Sequence, residues 1–230
     1  MTIQNTTDSY YLGQLSFAEA SELQRNLACG LTCGNSPNTF LFLHHPPVIT
    51  LGKNAIRSHI LATTDELHSK GIATECTDRG GGVTYHGLGQ LVVYPILRIR
   101  GVFSVRKYVK SLQTVVVQTL DSFGIDAVTK EGSPGVWVGD KKISSLGIRI
   151  HNGVSTHGLS LNVFGDLAPF RHITACNDPN LLHTSMDTES GTPIRWETAI
   201  AAVAKQVEGV FETKLSWQDF ANHEDLKVPL

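Results

Sequence analysis

The spacing of apolar residues along the chain predicts three main helices. A capping box at Ser16-Phe17-Ala18-Glu19 opens the first of them. One-sided apolar stripes then run through residues 104–123 and 194–211, which indicates two long helices with one buried face each. A shorter helix is predicted at 64–70, where acidic residues come first and basic residues last.

Between the helices, apolar and β-branched runs bounded by Gly, Pro or Asn predict strands. The runs lie at residues 10–12, 39–43, 48–51, 72–77, 91–98, 135–150 and 154–163. Tight turns at Gly139-Asp140 and Asn152-Gly153 are typical of a meander. The pattern therefore predicts an α+β fold with an antiparallel sheet, helices gathered on one side, and a single domain over residues 1–230. The polar tail after Phe211 looks dispensable.

Composition narrows the class of protein. With 230 residues and 41% hydrophobic content the chain can bury a full-sized core, and its net charge of −2 gives no basic bias toward nucleic acid. No apolar run is long enough to span a membrane, and the first residues do not resemble a secretory or transit signal. We expect a cytoplasmic protein whose four cysteines are free thiols.

A glycine-rich stretch at residues 78–90 is the most informative part of the sequence. Five glycines fall between Gly80 and Gly89, with Arg79, Tyr85 and His86 among them. Glycine brings the backbone close to a ligand, and a strand rather than a helix follows, so this is neither a P-loop nor a dinucleotide-binding turn. The stretch is expected to form the wall of a binding site.

Cys176 is the best candidate nucleophile, because it lies in a loop of small and polar residues. Cys76 lies near the glycine stretch and is the main competitor, whereas Cys29 and Cys33 fall on the first helix, far from the loops. A reactive thiol needs a partner that takes its proton. The residues alone do not decide which side chain takes the proton. The candidates are three histidines near the candidate loops, His86, His157 and His172, and a lysine in an apolar strand, Lys142.

The motifs resemble those of the lipoyl(octanoyl) transferase family. The signature Arg-Gly-Gly-x-x-Thr-aromatic-His-Gly-x-Gly-Gln is matched at residues 79–90. Further matches follow in the family's order: His45-Pro46, Gly135-Val136-Trp137, Lys142-Ile143, Leu146-Gly147-Ile148-Arg149 and His157-Gly158-Leu159. The chain departs from the family pattern at His44, Ser160, Ala175 and Asn177.

The resemblance implies a function and a set of site residues. Cys176 matches the cysteine that accepts the acyl group, and Lys142 matches the lysine that activates it, which selects lysine over histidine. The implied acyl-binding residues are Arg79, Gly80, Gly81, Gly82, Val83, Thr84, Tyr85, His86, Ser145, Leu146, Gly147, Gly158, Leu159 and Ser160. No cofactor and no metal is implied. The implied fold is the mixed, mainly antiparallel sheet with flanking helices of biotin- and lipoate-protein ligases.

The family transfers an octanoyl group from octanoyl-acyl carrier protein to a lysine of lipoyl domains, the first step of protein lipoylation. The implied acceptors are the lipoyl domains of 2-oxoacid dehydrogenase complexes and the glycine cleavage H protein. Two alternatives stay open. An ATP-dependent lipoate or biotin ligase shares the fold and needs no cysteine, and a non-catalytic acyl-carrier-binding module would keep the pocket without the chemistry.

Overall fold

The computed structural model describes residues 5–175 and 178–219. In this part of the chain the helices are α1 Phe17–Cys33, α2 Thr64–Ser69, α3 Val105–Asp121, α4 Met186–Ser190 and α5 Trp196–Phe211. The strands are β1 Thr6–Gln14, β2 Thr39–His44, β3 Val48–Leu51, β4 Ala73–Cys76, β5 Val83–His86, β6 Gln90–Ile96, β7 Val128–Lys130, β8 Ser133–Val138, β9 Lys141–His151, β10 Val154–Asn162 and β11 Lys214–Trp217. None of the helices in these two ranges has the length and apolar character needed to cross a membrane.

The described strands form a large sheet of eight strands and a small sheet of three. The large sheet has the order β11-β1-β2-β6-β10-β9-β8-β7, and the small one has the order β4-β3-β5. Strands β11, β1 and β2 run parallel, and from β2 to β7 each neighbour is antiparallel. The expected α+β fold with a mixed, mainly antiparallel sheet is confirmed.

Helices cover both faces of the large sheet, so the prediction that they gather on one side is wrong. Along β2, Phe40 and Phe42 join the core formed with α3 and α5, whereas Leu41 and Leu43 join the core formed with α1. Successive residues of a strand point to opposite faces, so an apolar residue at every position means that both faces are buried. The unbroken run at 39–43 carries this information in the sequence.

The small sheet lies over the large one and is connected to it through the glycine stretch. Its own core includes Ile49, Leu67, Tyr85 and Phe170, from β3, α2, β5 and the 3-10 turn Ala168–His172, and Ile173, which follows that turn. The Gly80 N–H donates to the carbonyl of Ile148 on β9 at 2.9 Å. The glycine stretch thus joins the two sheets, and it contains strand β5, which the sequence interpretation took as part of a loop.

The segment after α5 is part of the fold, so the expectation that the tail is dispensable is wrong for residues 214–217. Strand β11 pairs in parallel with β1, with Thr6 opposite Lys214 and Ser9 opposite Trp217. Leu215 is 9% exposed and belongs to the core shared by α3 and α5. A strand of four residues with only one buried apolar side chain has a weak sequence signal, because its partner strand lies at the other end of the chain.

Replacing Leu215 by alanine should lower the free energy of unfolding by about 2 kcal/mol, since a buried leucine leaves a cavity when truncated. The neighbouring Lys214 is exposed, so Lys214→Ala is the matched control and should change stability by less than about 0.5 kcal/mol. Urea unfolding of both variants measures the difference. Equal stability of the two variants would contradict a structural role for β11.

Candidate active site

A cavity of about 380 Å³ lies between the glycine stretch with β5 and the face of the large sheet that α1 covers. On the large sheet its lining is a stripe of small residues, Ser145 and Gly147 on β9 and Gly158 and Ser160 on β10. Gly147 and Gly158 are directly opposite each other in the register, as are Ser145 and Ser160. Where other parts of this face carry apolar side chains, the stripe leaves open volume.

Two glycines of the stripe are required by close packing. A Cβ on Gly158 would lie 2.2 Å from the carbonyl oxygen of Val93 on β6. A Cβ on Gly147 would lie 3.0 Å from Cδ of Arg79 and 3.2 Å from the Gly80 carbonyl oxygen. Any other residue at Gly158 would push β6 and β10 apart, and a larger residue at Gly147 would displace the glycine stretch.

Hydrogen bonds of the Arg79 side chain hold the glycine stretch in place. This side chain is 7% exposed, and Nη2 donates to the carbonyl and to Oγ1 of Thr50, each at 2.8 Å. Nε donates to the same hydroxyl at 3.2 Å, and Nη1 donates to the Gly80 carbonyl at 3.0 Å. Because a buried guanidinium needs its donors satisfied, these bonds set the position of the loop relative to β3.

Lys142 lines the cavity and is only 1% exposed, which excludes the alternative of a surface lysine on an edge strand. Its amine lies 5.0 Å from the centroid of the Trp137 ring. Its backbone N–H donates to the Leu182 carbonyl at 2.8 Å, and its carbonyl accepts from Thr184 N–H at 3.0 Å. A Cβ on Gly135 would lie 2.5 Å from Lys142 Cε, so a glycine there makes room for the lysine.

Three histidines surround Phe17 at the part of the cavity lined by that ring and Tyr94. The Phe17 ring stacks on His86 and His157 at centroid distances of 6.2 and 6.3 Å, and it meets His45 edge-on at 5.4 Å. Burial lowers the pKa of His45 to about 4, and it lowers the pKa of His86 and of His157 below the ordinary value. All three rings are therefore neutral near pH 7.

Hydrogen bonds fix the tautomers of His45 and His86. The Leu15 carbonyl can only accept, so His45 Nδ1 donates to it at 2.7 Å, and Nε2 accepts from the Tyr94 hydroxyl at 2.8 Å. His86 Nδ1 lies 2.6 Å from Gln90 Oε1 and donates to it. Gln90 Nε2 donates to Asn162 Oδ1, and Asn162 Nδ2 donates to the Thr184 carbonyl, both at 2.9 Å. This chain of bonds links His86 to the segment beside Lys142.

A second cavity of about 580 Å³ lies between α1 and the ends of β4, β9 and β10. Cys29, Cys33 and Cys76 all line it, together with Asp78. The expectation that Cys29 and Cys33 lie far from the loops is therefore wrong, because α1 crosses the sheet and brings its last turns next to β4. Among the described residues no group of His, Cys, Asp and Glu side chains is arranged to hold a metal ion.

Cys176 lies outside the described residues, but the chain on both sides of it is described. Ala175 is 4% exposed and packs in the core of the small sheet. Thr174 N–H donates to the His59 carbonyl at 2.7 Å, and Asp178 N–H donates to the Ala175 carbonyl at 3.0 Å. His183, a few residues later, forms a parallel bridge with Lys142. The segments next to Cys176 thus reach from the small sheet to the strand that carries Lys142.

Comparison with known proteins gives the family. The family model described as "Lipoyl protein ligase A/B catalytic domain" matches residues 16–208. The chain belongs to the lipoyl protein ligase A/B catalytic-domain family. An octanoyltransferase of Acidobacterium capsulatum is 36% identical over 223 residues, which cover 90% of this chain and 91% of that protein. A protein of Arabidopsis thaliana named as a mitochondrial octanoyltransferase is 33% identical over 227 residues, covering 98% of this chain and 95% of its own.

Solved structures of a lipoate-protein ligase and of a biotin protein ligase share the fold at low sequence identity. Lipoate-protein ligase A bound with ATP has a TM-score of 0.81 at 14% identity, covering 96% of this chain and 91% of that chain. Biotin protein ligase from Aquifex aeolicus in complex with biotin and ATP has a TM-score of 0.57 at 14% identity, covering 90% of this chain and 70% of that chain. The predicted likeness to biotin- and lipoate-protein ligases is confirmed at the level of the fold.

The residues that the sequence suggested for this lipoyl protein ligase A/B domain lie largely around one cavity. Lys142 lines it, and so do the suggested acyl-binding residues other than Gly80 and Tyr85. Tyr85 faces the other side of β5 and packs on Phe170. Of the histidines, His86 and His157 line the cavity, whereas His172 lies in the 3-10 turn under the small sheet.

Several lining residues had not been singled out from the sequence: Phe17, Asn54, Tyr94, Gly132, Ser133 and Pro134. Phe17 and Asn54 are brought in by tertiary packing, and nothing in their local sequence marks them. Tyr94 did carry a signal, because a tyrosine in an otherwise aliphatic buried strand needs a hydrogen-bond partner. His183, which stacks on Phe170 at 3.7 Å next to Lys142, had also not been singled out.

Stability of this lipoyl protein ligase A/B domain should fall as the pH drops from about 6.5 to about 4. Burial lowers the pKa of His183 to about 4, so in this range the unfolded chain binds a proton at His183 that the folded chain does not. His183→Phe keeps the stacking on Phe170 and removes the proton. The slope of unfolding free energy against pH, from urea titrations, should fall by up to about 1.4 kcal/mol per pH unit. An unchanged slope would show that His183 titrates alike in both states.

Proposed function

We propose that this protein is an octanoyltransferase that moves an octanoyl group from octanoyl-acyl carrier protein to a lysine of lipoyl domains through a thioester on Cys176. The observation that carries the proposal is the buried Lys142 amine in a cavity walled by glycines and small residues. The names of the relatives described above support it. The acceptors proposed are the lipoyl domains of 2-oxoacid dehydrogenase complexes and the glycine cleavage H protein.

In the first step the Cys176 sulfur attacks the carbonyl carbon of the donor thioester, and the Lys142 amine takes the thiol proton. The bond from the carbonyl carbon to the carrier's sulfur breaks, and that sulfur leaves with the proton that Lys142 returns. Backbone N–H groups of the glycine stretch and the adjoining strands stabilise the developing oxyanion. This step consumes the thioester of the carrier protein and forms the thioester on Cys176.

In the second step the amine of the lipoyl-domain lysine attacks the Cys176 thioester. The amine loses a proton through Lys142, which returns it to the departing Cys176 sulfur, and an amide is left on the acceptor. An amide is more stable than a thioester, so transfer proceeds without ATP.

The acyl chain is proposed to lie along β9 and β10 on the stripe of small residues. Together with the glycine stretch above it, this stripe forms a channel that ends near Lys142. Burial of each methylene of a chain in this channel contributes about 0.8 kcal/mol. The channel draws its walls from both sheets and α1, which supports the proposal that residues 1–230 act as one catalytic domain. A cytoplasmic location stays a prediction.

An ATP-dependent lipoate or biotin ligase is the second candidate, and the fold likeness to a lipoate-protein ligase with bound ATP favours it. A ligase forms an acyl-adenylate and has no use for a nucleophilic cysteine. Dependence of amide formation on ATP, with free octanoate as donor, would therefore support the ligase over the transferase.

Incubation with octanoyl-acyl carrier protein should raise the intact mass of the protein by one octanoyl group, which hydroxylamine then removes. Cys176→Ala should abolish the increase, because it removes the sulfur that forms the thioester. Cys76→Ala is the matched control, since Cys76 is an exposed free thiol at the end of the strand that leads into the glycine stretch. Acylation that persists in Cys176→Ala and disappears in Cys76→Ala would contradict the assignment.

Lys142→Arg should be nearly as slow in acylation of Cys176 as Lys142→Ala. Arginine keeps a positive charge but does not release a proton at any working pH, so it cannot act as the base. Single-turnover acylation rates from about pH 6 to about pH 9 bracket the ordinary pKa of a thiol. A rate close to that of the unmodified protein for the arginine variant would assign Lys142 an electrostatic role and leave the base to His86 or His157.

A further inference from the structure

The two cavities described above lie in line along the same pair of strands. Residues that face α1 on β9 and β10 line the first cavity and then the second in steps of two: Ser145, Gly147, Arg149 and His151 on β9, and Ser160, Gly158, Thr156 and Val154 on β10. Within the described residues, His157 is the one residue that lines both cavities. It therefore stands at the boundary between them, at the end of the first cavity away from Lys142.

The position of His157 breaks the alternation of its strand. Its register partner Ile148 and its near neighbours Leu159 and Leu161 pack toward α3 and α5, the opposite face. By alternation His157 would point there too, but its φ is +56°, in the left-handed region that a residue other than glycine rarely adopts. The ring instead lies on the α1 face, where it meets Phe17 and Tyr94. Such an outlier persists only when surrounding contacts hold it.

Those contacts come from several elements. The His157 backbone N–H donates to Gln24 Oε1 on α1 at 2.6 Å. Nε2 lies 2.9 Å from Asp78 Oδ1, and the other oxygen of this carboxylate lies 2.9 Å from Arg149 Nη1. The Phe17 ring stacks on the imidazole at 6.3 Å with an interplanar angle of 11°. The ring is 5% exposed, is bonded to Asp78 through Nε2 and is stacked on Phe17 by one face, so it acts as a fixed wall.

We infer that His157 sets the upper limit on the length of the acyl chain that the first cavity accepts. The inference rests on the proposed function. A linear chain attached near Lys142 and lying along the stripe of small residues would meet the imidazole of His157 and the Phe17 ring with its far end. Beyond this wall the second cavity, of about 580 Å³, would accommodate further methylenes if the imidazole were absent.

The residue at position 157 offers a favourable substitution for the test. Glycine adopts a φ of +56° without steric cost. His157→Gly therefore removes the imidazole and also removes the backbone strain at this position. We measure single-turnover acylation of Cys176 by octanoyl- and dodecanoyl-acyl carrier protein. The unmodified protein should react at least about tenfold more slowly with the dodecanoyl donor than with the octanoyl donor. The ratio of the octanoyl rate to the dodecanoyl rate should fall by about tenfold in His157→Gly.

Two further variants complete the design. Asparagine is smaller than histidine and also tolerates the left-handed region. His157→Asn should therefore lower the ratio of the octanoyl rate to the dodecanoyl rate as well, and it provides the test if His157→Gly does not fold. His151→Ala removes an exposed imidazole that lines only the second cavity, so it is the matched control and should leave the ratio unchanged.

An unchanged ratio in a folded His157 variant overturns the inference, and so does loss of octanoyl acylation with no gain for the longer chain. Binding of free octanoate and dodecanoate, measured by calorimetry, separates this result from failure of the proposed function. If the unmodified protein is never acylated at Cys176, the proposed function fails. In that case a tenfold gain in dodecanoate affinity in His157→Gly would still support the inference that His157 limits chain length. Equal dodecanoate affinities of the variant and the unmodified protein would overturn it.

Discussion

The stripe of small residues on the α1 face of β9 and β10 is the constraint on which the site depends. Protein interiors contain few voids larger than a water molecule, because neighbouring side chains move in to fill them. Here Gly147 and Gly158 leave about 380 Å³ open, and the framework around the stripe prevents collapse. The Gly80 N–H bonded to Ile148 holds the small sheet over the large one, and Arg79 bonded to Thr50 holds the glycine stretch over the stripe.

Buried polar groups contribute to this framework at a cost in stability. Lys142, Arg79, His45, His86 and His157 are each less than about a tenth exposed, where an unbonded polar group would be strongly unfavourable. Hydrogen bonds offset this cost for Arg79, His45 and His86, and the bond from Nε2 to Asp78 offsets part of it for His157. The three histidines stay neutral because burial lowers their pKa. The result is a channel with a lysine at one end, which is the environment that the proposed function requires for an acyl chain.

The fold by itself does not decide between thioester transfer and ATP-dependent ligation. Lipoate-protein ligase A, solved with bound ATP, has the same architecture at 14% identity. One architecture can serve different reactions when the side chains at the site differ. In the proposed function the distinguishing features are two residues: Lys142, buried beside Trp137, and Cys176, whose described neighbours in sequence reach from the small sheet to the strand of Lys142. The two proposed reactions differ in what activates the acyl group.

Local sequence determined the elements and much of the site, because the responsible signals act over a few residues. The capping box at Ser16, the apolar stripe of α3 and the turns at Gly139 and Gly153 depend on neighbours along the chain. The family motifs singled out Lys142 and the glycine stretch, which the structure brings to one cavity. Tertiary structure alone decided which surfaces meet. It placed α1 on the face opposite α3 and α5, brought Phe17 into the cavity and set β11 against β1. It also turned His157 out of its strand's alternation, because that conformation is held by Gln24 and Asp78. These contacts join residues about eighty or more positions apart, and no local pattern encodes such distances.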